Sequence, residues 1–207
     1  CIRDRYSGKS KWITGEEART HVMEQRNALT GIMVGSETVI KDDPSLTCRI
    51  EGGRNPVRII CDSSLRISMD SQIVRTASEV PTILAAIQSE DQADKKQKLI
   101  GAGVEIIETE SVDGHVDLQE LMKQLGARNI DGILLEGGGT LNESALKAGI
   151  VKEVDVYIAP KIFGGSAGYT PVGGVGVESP AEAYPFELGS IQRFGADIML
   201  QYFQITA

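Results

Sequence analysis

The sequence predicts an α/β fold: one mainly parallel sheet flanked by helices and finished by an antiparallel C-terminal pair. Short apolar runs at 29–34 (LTGIMV), 57–61 (VRIIC), 82–87 (TILAAI) and 104–107 (VEII) have the character of buried strands, with stretches of helical period between them. Residues 130–149 (IDGILLEGGGTLNESALKAG) compress a strand, a glycine turn and a helix into one stretch. Residues 186–205 alternate around Gly189 and Gly195 like two paired strands.

Residues 1–7 (CIRDRYS) are charged and lack apolar periodicity, so the folded domain is expected to run from 8 to 207. Thr14 and Glu17 fit a capping box, and Ala18, Val22 and Met23 give the helix that follows an apolar side as far as about Arg26. His21 on that helix reads as a surface histidine. The strand at 29–34 ends in a polar stretch, Gly35 to Val39 and then Lys41 to Pro44, read as a loop because Pro44 turns Asp43 away from helical geometry. The charged stretch 89–98 reads as a solvated helix, and 116–125 as a helix whose Leu118, Leu121, Met122 and Leu125 face the core. Residues 154–159 (VDVYIA) form a further strand, after which the chain becomes glycine-rich.

With 207 residues and 41% hydrophobic composition, the chain can bury one core and needs no second domain. A formal charge of -8 argues against a nucleic-acid surface, which needs clustered Lys and Arg. Cys1, Cys48 and Cys61 are too widely spaced for a metal site or a disulfide framework, so a reducing cytoplasm is the expected home. No apolar run approaches the roughly 18 residues of a membrane span, and no apolar signal core follows the opening charges.

The glycine turn is the strongest chemical cue. Gly137, Gly138 and Gly139 leave backbone N–H groups uncovered at a helix start, where the dipole favours an anion, and Thr140 with Glu143 fits a capping box there. The spacing is neither GxGxxG nor GxxxxGK[ST], so a plain tight turn and a phosphate site both stay open on the residues alone. Thr38, Asp42 and Arg49 add hydroxyl, carboxylate and guanidinium, the groups that orient a polyhydroxylated, phosphorylated ligand. Ser63, Ser64 and Arg66 offer partners for a ribose 2′-phosphate, while Asp62 beside them keeps NAD open as well as NADP.

Three segments in this order, GKSKWIT (8–14), VGSETVIKDDPSLTCR (34–49) and LLEGGGTLN (134–142), resemble the reductase domain of the bacterial bifunctional riboflavin-biosynthesis deaminase-reductase. The resemblance covers most of the chain from Gly8 onward. It implies a dihydrofolate-reductase-like fold and NADPH-dependent reduction of the ribosyl group of 5-amino-6-(5-phosphoribosylamino)uracil to ribityl. Carried over by position, Trp12, Thr38, Asp42 and Ser63 correspond to NADP contacts, as does the turn Gly138, Gly139, Thr140, Leu141, Asn142, Glu143 and Ser144. Ser10, Arg26, Leu46, Arg49 and Glu136 correspond to substrate contacts. The implied chemistry is hydride transfer from nicotinamide C4 to sugar C1′, reached as an open-chain aldehyde or imine, with neither metal nor covalent nucleophile. Asp42 and Glu136 are the candidate catalytic residues, for proton handling or for hydrogen bonds to sugar or pyrimidine.

The resemblance breaks off at the N-terminus. In the family a strand carrying a lysine and an alanine, then an SLDG-like turn, precedes the GxSxW segment; CIRDRYS stands there instead, so the first family strand is expected to be missing. A zinc-binding deaminase domain is expected upstream in a full-length protein. Two rival readings follow: a fragment that binds NADP with weak or no turnover, and a reductase of the same fold acting on a pterin-like substrate. Relatives imply a homodimer, and the expected partner is a phosphorylated pyrimidine, with no nucleic acid and no membrane.

Overall fold

The computed structural model describes residues 13–162 and 170–205. The chain runs through α1 (Glu16–Ala28), β1 (Gly31–Gly35), α2 (Ser36–Asp42), β2 (Val57–Cys61), the short α3 (Gln72–Arg75), β3 (Thr82–Ile87), α4 (Ala93–Gly101) and β4 (Glu105–Thr109). A small hairpin, β5 (Ser111–Val112) and β6 (His115–Val116), leads to α5 (Leu118–Gly126), β7 (Ile133–Gly137), α6 (Gly139–Lys147) and β8 (Glu153–Ile158). The hairpin of β9 (Phe186–Phe194) and β10 (Asp197–Gln204) completes the order.

One sheet has the order β4-β3-β2-β1-β7, with every pairing parallel. Successive strand residues point to opposite faces, so these apolar strands feed two cores, as a parallel sheet covered on both sides requires. Ile32, Val34, Ile60 and Leu84 pack with Val39 of α2, Ile73 of α3 and Leu99 of α4. Met33, Ile59 and Ile83 pack on the other face with Leu121 and Leu125 of α5 and Ala145 of α6. The strand order also places the site. Strands β1 to β4 step outward in one direction, and the chain then returns to add β7 on the opposite edge of β1. The winding reverses between β1 and β7, where α/β sheets open a crevice beyond their C-terminal strand ends.

A buried arginine interrupts this apolar interior. Arg58 of β2 is buried and donates only to neutral acceptors, among them Thr82 Oγ1 at 2.9 Å, Thr76 Oγ1 at 2.8 Å and the Val80 carbonyl at 2.8 Å. Burial pulls its pKa down to about 10, against the charge of Glu79.

The second sheet is antiparallel, in the order β8-β10-β9, and α1 lies across one of its faces. Gln25 donates to Asp155 Oδ2 at 2.5 Å, His21 Nδ1 meets the Tyr157 hydroxyl at 2.6 Å, and the His21 ring stacks on Phe194 at 4.6 Å. Arg26 on the same helix reaches Glu136 of β7, so α1 ties the two sheets together.

The sequence reading needs local corrections. The cap of α1 is Gly15 and not Thr14: the Gly15 N–H donates to Asp197 Oδ2 at 2.6 Å, so a carboxylate from the far end of the chain replaces a local hydroxyl. The cap of α6 is Gly138 and not Thr140, because the helix springs directly from the glycine turn. Residues 36–42, read as loop, form α2, and the loop begins at Asp43 in left-handed geometry. His21 is half-buried between Tyr157 and Phe194 and does not stand on open surface. The antiparallel C-terminal pair forms as expected and takes β8 as a third strand, making a sheet of its own among the described residues.

Candidate active site

Three strand ends meet at the crevice. Val34 of β1 pairs with Gly137 of β7, and Gly35 pairs with Cys61 of β2, so the turns into α2 and α6 and the turn after β2 stand side by side. A Cβ built on Gly138 would lie 3.8 Å from Thr38 Oγ1, so the first turn of α2 looks onto the glycine turn. Gly138 has φ 97°, a conformation that residues with a side chain rarely adopt. Among the described residues no acceptor takes the N–H of Gly139, Thr140 or Leu141. These amides point out of the N-terminus of α6, where the helix dipole attracts an anion. Asp42 is exposed and follows Thr38 by four residues, on the same side of α2.

Glu136 is the last side chain of β7 before the glycines. Its oxygens accept Arg26 Nε at 2.6 Å and Arg26 Nη2 at 2.5 Å, and Arg26 Nη1 donates to the Thr47 carbonyl at 2.9 Å. Both side chains are nearly buried, 11% and 15% exposed, the setting in which a two-bonded guanidinium–carboxylate pair fixes geometry. One arginine thereby joins α1, β7 and the loop after α2. That loop carries Leu46 and, beyond Thr47, the exposed Arg49. Leu46 is 3% exposed with φ 52°; its side chain belongs to the core with Val39 and Ile60, so only its main chain is available to a ligand.

At the end of β2, Asp62 is buried and accepts the Ile67 N–H at 2.9 Å. Its other oxygen has no hydrogen-bond partner, although Arg66 Nε stands 3.8 Å away, a charge contact too long to be a hydrogen bond. Arg66 also donates to Glu37 Oε1 at 2.7 Å and Ser36 Oγ at 2.8 Å. Hydrogen bonds from Arg66 and then Lys41 hold the Glu37 carboxyl below the usual carboxylate range. Ser63 and the exposed Ser64 stand between this knot and the strand end.

The residues grouped on the glycine turn divide in three. Leu141 packs into the core, and the exposed Thr140 and half-buried Ser144 stay on the helix surface. Asn142 donates to the Pro171 carbonyl at 2.8 Å, and a Cβ on Gly174 would lie 2.9 Å from the Glu143 carboxylate, so these two face the segment 170–174. Gly173 N–H donates to the Gly139 carbonyl at 2.9 Å in the same contact. Ser10 and Trp12 lie outside the described residues.

Sequence reasoning missed Thr47, whose part is played by a carbonyl that leaves no side-chain signal, and the seating of Arg66 on Ser36 and Glu37, which needs the α2 helix. A cavity of about 540 Å³ lies elsewhere, along α1 between Glu17, His21, Glu24 and Phe194, and holds none of the candidate residues. The convergence of the strand ends at β1, β2 and β7 identifies the candidate site.

These features define an α/β protein with a parallel sheet flanked by helices and a candidate ligand crevice at the β1/β7 reversal. The chain belongs to the RibD C-terminal domain family, whose model matches residues 3–200. It is 44% identical over 200 residues to riboflavin biosynthesis protein RibD of Actinobacillus pleuropneumoniae, covering 97% of this chain and 53% of that one. It is 37% identical over 196 residues to the 2,5-diamino-6-ribosylamino-4(3H)-pyrimidinone 5′-phosphate reductase of Methanothermobacter thermautotrophicus, covering 93% and 88%. The structure of Acinetobacter baumannii RibD matches with a TM-score of 0.80 at 26% identity, over 99% of this chain and 55% of that one. The chain thus spans about half the length of the RibD proteins it matches. No helix among the described residues is long and apolar enough to cross a membrane.

Proposed function

We propose that this chain is an NADPH-dependent reductase of riboflavin biosynthesis that converts the ribosyl group of 5-amino-6-(5-phosphoribosylamino)uracil to ribityl. The observation that carries the proposal is the adjacency of Glu136, bound to Arg26, and the glycine turn at the end of β7. A diphosphate held by the amides of Gly139 to Leu141 and a phosphorylated sugar held near Arg26 and Arg49 would share one crevice. The name of the archaeal relative supports the reaction type and offers a second substrate of the same phosphoribosyl chemistry, the diaminopyrimidinone.

The residues fit a dinucleotide. Gly138 leaves room beside Thr38, and Ser63, Ser64 and Arg66 flank the β2 end where a 2′-phosphate would lie. Asp62 is buried in its own turn and does not face an incoming ribose diol, which favours NADP over NAD. When bound, the nicotinamide supplies the hydride. The chain holds and orients: Thr38 stands where it can touch the cofactor, Arg49 grips the substrate phosphate, Glu136 keeps Arg26 in place, and Asp42 is the candidate for proton handling. In the longer relatives we expect a deaminase domain in the remaining half, and we expect a homodimer.

A second reading, a form that binds NADPH but turns over weakly, is favoured by one observation. Among the described residues β7 pairs only with β1 and β8 only with β10, which leaves the strand that bears Glu136 with an open edge. The experiment follows NADPH absorbance with the phosphoribosylaminouracil and the diaminopyrimidinone in turn, beside NADPH binding by fluorescence. Turnover supports the first reading, binding without turnover the second, and absence of both rejects the site.

A further inference from the structure

We propose that Glu37 sets how strongly this chain prefers NADPH over NADH: its carboxylate takes up the guanidinium of Arg66 in the place of a ribose 2′-phosphate, and so narrows the preference. The inference rests on the reductase reading above and adds to it a positioning residue that acts through Arg66. Strand register brings the parts together. Gly35 of β1 pairs with Cys61 of β2, so Ser36 and Glu37 at the start of α2 stand beside the turn that runs from Asp62 to Arg66. Arg66 Nη1 donates to Glu37 Oε1 at 2.7 Å and Nη2 to Ser36 Oγ at 2.8 Å, while Nε stands 3.8 Å from Asp62 Oδ1. All three nitrogens of the fork thus face acceptors of the chain itself.

Charge decides what this arrangement does to a nucleotide. Lys41 Nζ lies 3.3 Å from Glu37 Oε2, so the cations Lys41 and Arg66 are balanced by the carboxylates Glu37 and Asp62. Hydrogen bonding from Arg66, then Lys41, holds the Glu37 carboxyl below its usual range, so it is ionised at neutral pH. At a strand end that receives a ribose, an arginine accommodates a 2′-phosphate and a carboxylate accepts the hydroxyls of NAD. This chain places both there, in contact with each other. Binding NADPH must draw Arg66 off Glu37 or set a phosphate beside a carboxylate; the neutral diol of NADH meets neither obstacle. Arg66 also has a second seat. Asp62 Oδ1 is buried without a hydrogen-bond partner, and a guanidinium released from Glu37 has to close by only about 1 Å to reach it, which keeps the cation at the β2 end. The Arg66 and Glu37 side chains are 48% and 51% exposed, so water screens their pairing and Glu37 tempers the preference without abolishing it.

The test is equilibrium binding of NADPH and of NADH, followed by nucleotide fluorescence. The chains compared are wild type, Glu37→Gln, which removes the charge, and Glu37→Ala, which removes the acceptor as well. We expect both variants to bind NADPH about three- to fivefold tighter, the scale of one exposed ion pair released, with NADH affinity and the circular dichroism spectrum unchanged. In an Arg66→Ala background the gain from Glu37→Gln should largely disappear. Unchanged or weaker NADPH binding in both variants, an equal gain for NADH, or a gain that persists in full without Arg66 overturns the proposal and leaves the reductase reading in place. Should the wild-type chain bind neither nucleotide, the reductase reading itself fails, and the proposal with it.

Discussion

Arg26 and Glu136 hold each other through two hydrogen bonds of 2.6 and 2.5 Å, and this pair is what brings α1 to the end of β7. Each side chain is mostly shielded from water, so removing one strands the other's charge. Arg26→Ala and Glu136→Ala are each expected to cost about 3 kcal/mol in urea denaturation. The double variant should cost clearly less than the two added together, with a coupling of about 2 kcal/mol. Strictly additive losses would mean that the fork contributes nothing as a pair.

The two glycines at the start of α6 should fail in different ways. At Gly138 a methyl group meets nothing closer than 3.8 Å, but φ 97° is strained for alanine. Gly138→Ala should therefore cost about 1–2 kcal/mol of stability and weaken NADPH binding by about tenfold, since the methyl intrudes between Thr38 and the amides. At Gly139 a Cβ would come within 3.0 Å of the Gly173 nitrogen, a backbone contact that cannot simply rotate away. Gly139→Ala should push out the segment 170–174, read as faster proteolytic nicking there. Equal proteolysis of the two variants would contradict this division.

Much of the fold was legible because the strands are short apolar runs with helical spacing between them. The runs at 57–61 and 82–87 match β2 and β3 residue for residue. What could not be read depends on tertiary partners. Nothing near Thr14 announces that Asp197 would cap α1, and nothing near His21 announces Tyr157, 136 residues away. The stretch 36–42 looked like a loop because it is polar, yet Val39 is its single fully buried apolar anchor and packs beneath the sheet. In the candidate site the glycines and Glu136 stood out by motif. That Asn142 and Glu143 face the 170–174 segment, and that Asp62 turns inward, needed coordinates.

The inward turn of Asp62 and the outward placement of Arg66 bear on cofactor choice. Arg66→Ala removes the cation beside Ser63 and frees Ser36 and Glu37. It should raise the KM for NADPH by about tenfold, the scale of one lost charge-assisted hydrogen bond, while leaving the KM for NADH nearly unchanged. Parallel kinetics with the two cofactors measure the ratio. A uniform rise for both would show that Arg66 serves the turn and not the 2′-phosphate.

Alkaline pH should destabilise the protein by way of two partly buried acids, Cys61 and Tyr157. Cys61 keeps some exposed surface, but its thiol sits among the side chains packed under α5 and α6, and burial, reinforced by the charge of Asp62, pushes it up to about 12. Burial also raises the Tyr157 phenol above its usual range, with the carboxylates of Asp155 and Glu136 adding to the effect. Both groups are neutral in the fold, and the unfolded chain releases their protons first, near pH 9.0 for the thiol and pH 10.0 for the phenol. The folded state then holds more protons than the unfolded one, so stability falls as pH rises. Their contribution is complete below about pH 8.5 and declines above it by at most about 1.4 kcal/mol per pH unit for each group. Urea midpoints taken in steps from neutral pH to about pH 10.5 should stay level and then drop, and Cys61→Ala should begin its drop about one unit later, where the phenol alone remains. A Cys61→Ala curve parallel to wild type throughout would place the alkaline sensitivity on Tyr157 and leave the thiol without a part in it.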